Sequence, residues 1–103
     1  MSKLTLTMLA PDSYSLTGDM TFAGIDRRTV DSFKLLKASN QLSIDLAAVT
    51  VTDSAGLALM IEWIKFSNRQ GILLKFKNIP VQLISLAKLC GLDQIAHFTI
   101  TND

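Results

Sequence analysis

The chain has 103 residues and a formal net charge of +1, so we expect a single domain over residues 1–103. Apolar residues make up 49% of it and charged residues 18%, a composition that excludes an intrinsically disordered chain. Ten basic side chains against nine acidic ones argue against nucleic acid as a partner. One Cys and one His exclude a disulfide framework and a zinc site built by this chain alone.

The first part of the chain predicts a β-hairpin followed by a helix. Apolar and threonine side chains alternate over residues 4–8, which is typical of a half-buried strand rather than of a signal peptide. The turn signal Pro11-Asp12-Ser13 and a second alternating run predict a hairpin over 3–18. Apolar residues then recur at three- and four-residue steps, so we expect a helix over 21–38, with Gly24 weakening its first turn.

The rest of the chain predicts strands and helices in alternation. The predicted strands are a buried one over 41–46, one over 72–77 and a short last one over 97–100, with a connection over 47–52. A helix is predicted over 55–70, capped by Asp53 or Ser54 and ended by Gly71. A second helix is predicted over 81–90, with Asn78 as its cap and Pro80 in its first turn. Strands separated by helices imply parallel crossovers. The predicted fold class is therefore α/β, with a mixed, mostly parallel sheet in the order ββαβαβα.

The loop over 50–57 brings polar side chains to the start of the longest predicted helix. The carboxyl ends of strands favour functional sites in an open α/β sheet. Thr52 and Ser54 supply hydroxyls and Asp53 a carboxylate beside unpaired backbone N–H groups, and Gly56 would let another backbone or an anion come close. The simpler alternative is that Asp53 or Ser54 only caps the helix.

The same helix has more apolar surface than a sheet-packing helix needs. One apolar face contains Leu57, Met60, Ile61 and Ile64, and an adjoining face contains Leu59, Trp63 and Phe66. A single stripe suffices for packing on a sheet, so the second face predicts an exposed patch centred on Trp63, a residue type preferred at interfaces. The alternative is that Leu59 and Phe66 pack against neighbouring helices while Trp63 covers the rim of the core.

The remaining candidates for chemistry are weak. We expect His97 to be structural or exposed and Cys90 to be a core thiol, and a free thiol favours a reducing cytosolic compartment. A triad of Ser54, His97 and an aspartate can be drawn, but the G-x-S-x-G motif of such hydrolases is missing. There is neither a G-x-G-x-x-G motif nor a P-loop lysine. We therefore predict a protein that is not an enzyme and takes no cofactor.

Two segments together carry a family resemblance. Ile44-Asp45-Leu46 and, seven residues on, Ser54-Ala55-Gly56-Leu57 resemble the signature of STAS domains, the fold of bacterial anti-sigma-factor antagonists. Leu16-Thr17-Gly18-Asp19-Met20 is similar to the end of the second strand in that family, and the likeness extends over 14–95. It implies a STAS fold and a non-catalytic role. In the antagonist branch, the serine that a partner kinase phosphorylates corresponds to Ser54.

Two further segments favour one branch of the family. Gly56-Leu57-Ala58-Leu59 and Leu86-Ala87-Lys88-Leu89 resemble the MlaB branch, the cytoplasmic STAS subunits of phospholipid ABC transporters that maintain outer-membrane lipid asymmetry. This resemblance implies docking on an MlaF-like ATPase subunit within a larger permease complex, at the inner membrane only through that complex. The surplus apolar area favours this branch, because lasting interfaces have more apolar cores.

The two branches predict different uses of one surface. In the transporter branch, we expect the loop and the helix after it to contact the ATPase. The expected contact residues are Thr52, Asp53, Ser54, Ala55, Gly56, Leu57, Leu59 and Trp63. The alternative is an anti-sigma-factor antagonist that is switched by phosphorylation of Ser54.

Overall fold

The computed structural model describes residues 3–36 and 40–91 and shows helices that alternate with the strands of one sheet. The elements are β1 (Thr5–Ala10), β2 (Ser13–Met20), α1 (Arg27–Ser32), a 3-10 helix (Phe33–Leu35), β3 (Gln41–Thr52), α2 (Ser54–Arg69), β4 (Leu73–Lys77) and α3 (Val81–Leu89). The sheet has four strands in the order β1-β2-β3-β4, with β1 antiparallel to β2 and the other pairs parallel. This confirms the predicted fold class. The strand predicted over 97–100 lies outside the described residues.

The hairpin is confirmed, but its second strand does not end at the glycine. Asp12, with φ of 64°, makes the turn between β1 and β2. Gly18 has φ of 110° inside β2, and a Cβ there would overlap the carbonyl oxygen of Lys3. Glycine is needed at this point because its backbone adopts the positive φ and leaves space for the backbone that leads into β1.

The first helix begins later than predicted. Residues 21–25 form a turn in which the backbone N–H groups of Gly24 and Ile25 both donate to the Thr21 carbonyl. Asp26 then caps α1 by accepting from the Thr29 backbone N–H at 3.0 Å, and this bond lowers the pKa of the Asp26 carboxyl below its usual value. The helical spacing over 21–25 was misleading because these residues form a turn and not a helix. Ala38, where the predicted helix ends, lies outside the described residues.

Strand β3 continues through the segment predicted as a connection. Residues 47–52 stay paired with β2, from Ala48 opposite Thr17 to Thr52 opposite Met20, across two irregularities in register. Asp45 supports the strand by accepting from the Ala47 backbone N–H and from Asn78 Nδ2, at 2.8 and 2.9 Å. Asn78 is therefore a strand-end contact with φ of 54°, and Pro80 holds the cap position of α3 instead.

The core lies between one face of the sheet and the helices. Buried side chains alternate with half-buried or exposed ones along β2, the first half of β3, and β4. The largest fully buried side chains include Trp63 of α2 and Phe76 of β4. This one-sided burial leaves polar residues on the opposite face. Because β2 and β3 are parallel, the loops that follow them lie at the same edge of the sheet.

The second apolar face of α2 is covered by the segment around α1. The Phe33 ring stacks on Trp63 with ring centroids 4.6 Å apart and an interplanar angle of 10°, and it meets Phe66 edge-on at 6.0 Å. The Trp63 indole N–H also donates to the Val30 carbonyl at 3.4 Å. Trp63 is 1% exposed and Leu59 5%. The predicted exposed patch centred on Trp63 is therefore wrong, and the alternative of helix packing is closer to the structure.

Candidate functional site

A capping carboxylate organises the corner where β3 enters α2. Asp53 Oδ1 accepts from the Ala55 backbone N–H at 2.9 Å, and its Oδ2 accepts from the Phe22 backbone N–H at 3.1 Å. One side chain therefore caps the helix and holds the loop that follows β2 against it. Ser54 is the first residue of α2 and is exposed. We call this corner, formed by Thr52, Asp53, Ser54, Ala55 and Phe22, the α2 corner.

Removal of the cap is expected to destabilise the domain modestly. Asp53→Ala should lower the free energy of unfolding by about 1 kcal/mol, because two backbone N–H groups lose their acceptor. Asp53→Asn should retain only part of this stability, because its single amide oxygen can accept from one of the two backbone N–H groups and its amide nitrogen cannot accept from the other. Chemical denaturation of the three proteins measures the difference. Equal stability of the alanine variant and the parent chain would contradict the assigned role.

Polar side chains continue the α2 corner in both directions along the sheet edge. Thr52 Oγ1 donates to Gln82 Oε1 of α3 at 2.9 Å, and Thr50 Oγ1 donates to Asp19 Oδ1 of β2 at 2.5 Å. These contacts link the ends of β2 and β3 to the first turn of α3. The edge is therefore a continuous surface built from three elements.

Several of the predicted contact residues are not accessible. Thr52, Asp53 and Ala55 are half-buried, whereas Gly56 and Leu57 are buried and, like Leu59 and Trp63, belong to the interior. A Cβ on Gly56 would lie 2.7 Å from the carbonyl oxygen of Met20, which already accepts from the Asp53 backbone N–H. Gly56 therefore lets another backbone come close, as the sequence predicts, and that backbone is the end of β2 of its own chain.

An exposed aromatic side chain was missed by the sequence interpretation. Phe22 is 84% exposed, although its backbone is held by Asp53. Val51 and Val81 are also exposed at this edge, at 51% and 77%. The helical pattern assigned Phe22 to an apolar face, and only a turn over 21–25 directs the side chain outward. The one available signal was Gly24, which weakens a helix at that place.

The other candidate residues do not form a catalytic arrangement within the described part of the chain. Cys90 is exposed at the end of α3, so the prediction of a core thiol is wrong. His97 lies outside the described residues, and the triad with Ser54 therefore stays untested. Within residues 3–36 and 40–91, no group of three His, Cys, Asp or Glu side chains is placed to hold a metal ion.

Comparison with known families agrees with this architecture. Residues 12–103 match the STAS domain. The chain belongs to the STAS family. STAS domains are generally non-catalytic, and the family suggests an adaptor or an anti-sigma-factor antagonist-like role for this STAS domain. No curated protein sequence matches the chain significantly. None of the helices in the described part is both long and apolar enough to cross a membrane.

Proposed function

We propose that this STAS domain is a non-catalytic adaptor of a phospholipid-transporting ABC complex that maintains outer-membrane lipid asymmetry, and that it docks on the ATPase subunit and supports it. The observation that carries the proposal is the α2 corner, where exposed Ser54 follows Asp53, and the Asp53 carboxylate holds the backbone of Phe22, an aromatic residue that is 84% exposed. Aromatic anchors surrounded by polar groups are typical of binding hot spots. The MlaB-like segments 56–59 and 86–89 favour the transporter branch.

The docking surface differs from the one that the sequence predicts. Phe22 takes the place of Trp63 and Leu59 as the apolar anchor, because those two side chains are buried. Ser54 contributes a neutral hydroxyl at the contact, and the exposed side chains of Val51 and Val81 add apolar area at the same end of the sheet. The domain makes and breaks no substrate bonds, and the ATPase holds it at the cytoplasmic side of the inner membrane.

Affinity purification from native membranes tests the proposal. A tagged full-length chain, expressed at its natural level in its own host, should recover an ATPase subunit together with a permease. A variant with Phe22→Ala and Ser54→Glu serves as the control for nonspecific recovery. Recovery of an anti-sigma kinase without any transporter subunit would overturn the assignment.

A charge at Ser54 is expected to weaken docking without unfolding the domain. Ser54→Glu should lower affinity for the ATPase about tenfold, since a carboxylate replaces a neutral hydroxyl at the contact. A negative charge in the first turn of a helix favours the helix, so thermal melting should stay at or above that of the parent chain. Asn40→Glu, exposed at the opposite end of β3, is the matched control. Unchanged affinity for Ser54→Glu, measured by calorimetry, would place Ser54 outside the interface.

The position of Ser54 also favours a second candidate, an anti-sigma-factor antagonist. The residue is exposed at the start of α2, where a phosphoryl group would face the positive end of the helix. Intact-mass spectrometry of the protein from its own host distinguishes the two functions. A substantial species heavier by about 80 Da favours the signalling function. A single unmodified mass together with recovery of an ATPase favours the adaptor.

A further inference from the structure

An apolar groove opens next to the α2 corner, between α2 and the segment that leads into α1. It has a volume of about 430 Å³ and lies open to solvent along its length. It is lined by Phe22, Ile25 and Val30 on one side and by Ala55, Ala58, Leu59 and Glu62 on the other. Ala58 is exposed in the groove and contributes only a methyl group to its lining. The groove therefore offers apolar contact from two opposing elements.

The charged groups around the groove favour a positively charged occupant. Glu62 is the charged residue that lines it. A second depression continues past Ile25 and Val30, where the carboxylates of Asp26 and Asp31 are balanced by Arg27 and Lys34. The charge in the groove itself is therefore that of Glu62, to which a basic side chain would be attracted.

We propose that the groove receives a short apolar segment of the ATPase that carries a basic side chain, and that this side chain pairs with Glu62. The inference rests on the proposed function and deepens it, because it adds a second contact beside the α2 corner on the same partner. Apolar side chains of the segment occupy the space above Ala58. The basic side chain lies next to Glu62, and this ion pair sets the orientation in which the segment binds along the groove.

Two substitutions in the groove test the proposal against purified ATPase subunit. Glu62→Lys should weaken binding about tenfold, because it sets a like charge against the basic side chain. Ala58→Trp should also weaken binding about tenfold, because it fills the groove. Asn68→Lys and Asn68→Trp, at an exposed site in the last turn of the same helix, should bind within about twofold of the parent chain. Thermal melting shows that each variant is folded.

The outcomes separate this inference from the proposed function. If the parent chain binds the ATPase and both groove variants bind equally well, the groove inference is overturned and the adaptor function stands. If the parent chain does not bind any ATPase, both are overturned. Native mass spectrometry of the protein from its own host tests the alternative that the groove holds a lipid. A bound lipid that Ala58→Trp displaces would also overturn the inference.

Discussion

Trp63→Ala is expected to lower the free energy of unfolding by about 3–5 kcal/mol, the largest effect of any substitution considered for this domain. The indole is 1% exposed and lies flat against the Phe33 ring at 4.6 Å. Its removal leaves a cavity between α2 and the segment around α1, and it removes the hydrogen bond to the Val30 carbonyl. The main effect of Trp63→Ala should therefore be a loss of stability and not a loss of a partner contact.

Urea denaturation followed by circular dichroism measures this effect. Lys65→Ala, an exposed change on the same helix, is the control and should stay within about 0.5 kcal/mol of the parent chain. A Trp63→Ala protein that is as stable as the parent but fails to bind the ATPase would contradict the packing described here. Such a result would instead support the prediction from the sequence that Trp63 is an exposed residue that anchors the interface.

Phe22→Ala is expected to have the opposite signature, with loss of binding and unchanged stability. The side chain is 84% exposed, so its removal should cost the fold little. If Phe22 is the anchor of the docking surface, affinity for the ATPase should fall by about 2 kcal/mol, roughly thirtyfold. The backbone hydrogen bond from Phe22 to Asp53 does not depend on the side chain and should persist in the variant.

The chain offers a closely matched control for this change. Leu89 is also 84% exposed, but it lies at the last position of α3. Leu89→Ala should leave both affinity and thermal stability at the values of the parent chain. Equal affinities for Phe22→Ala, Leu89→Ala and the parent chain in calorimetric titrations would show that Phe22 is not part of the docking surface.

The fold was accessible from the sequence because its signals are local. Alternation along the strands, the Asp53 cap and the terminal glycine at 71 place α2 to within one residue of its observed ends. The first helix was harder to predict, since Phe22 and Ile25 have helical spacing with later apolar residues. Their true conformation depends on the backbone N–H of Leu4, the residue before β1, which donates to the Gly24 carbonyl at 3.0 Å although the two are distant in sequence.

The candidate site was predicted in part. The sequence located the α2 corner and Ser54, because a cap and a helix start are recognisable from neighbouring residues. It assigned the anchor to Trp63, because helical periodicity shows that a face is apolar without showing what covers that face. Phe33 covers Trp63. The exposure of Phe22, in contrast, results from a turn that periodicity does not reveal.

By itself, the sequence determined the order of strands and helices, the α/β class, the family signature and the position of the α2 corner. These depend on residues that are close along the chain and on the period of their apolar side chains. Only the tertiary structure decided which apolar side chains are buried, which one is exposed beside Ser54, and why Gly56 must be small. Those properties depend on contacts between segments that are distant in sequence, such as Phe33 with Trp63 and Met20 with Gly56.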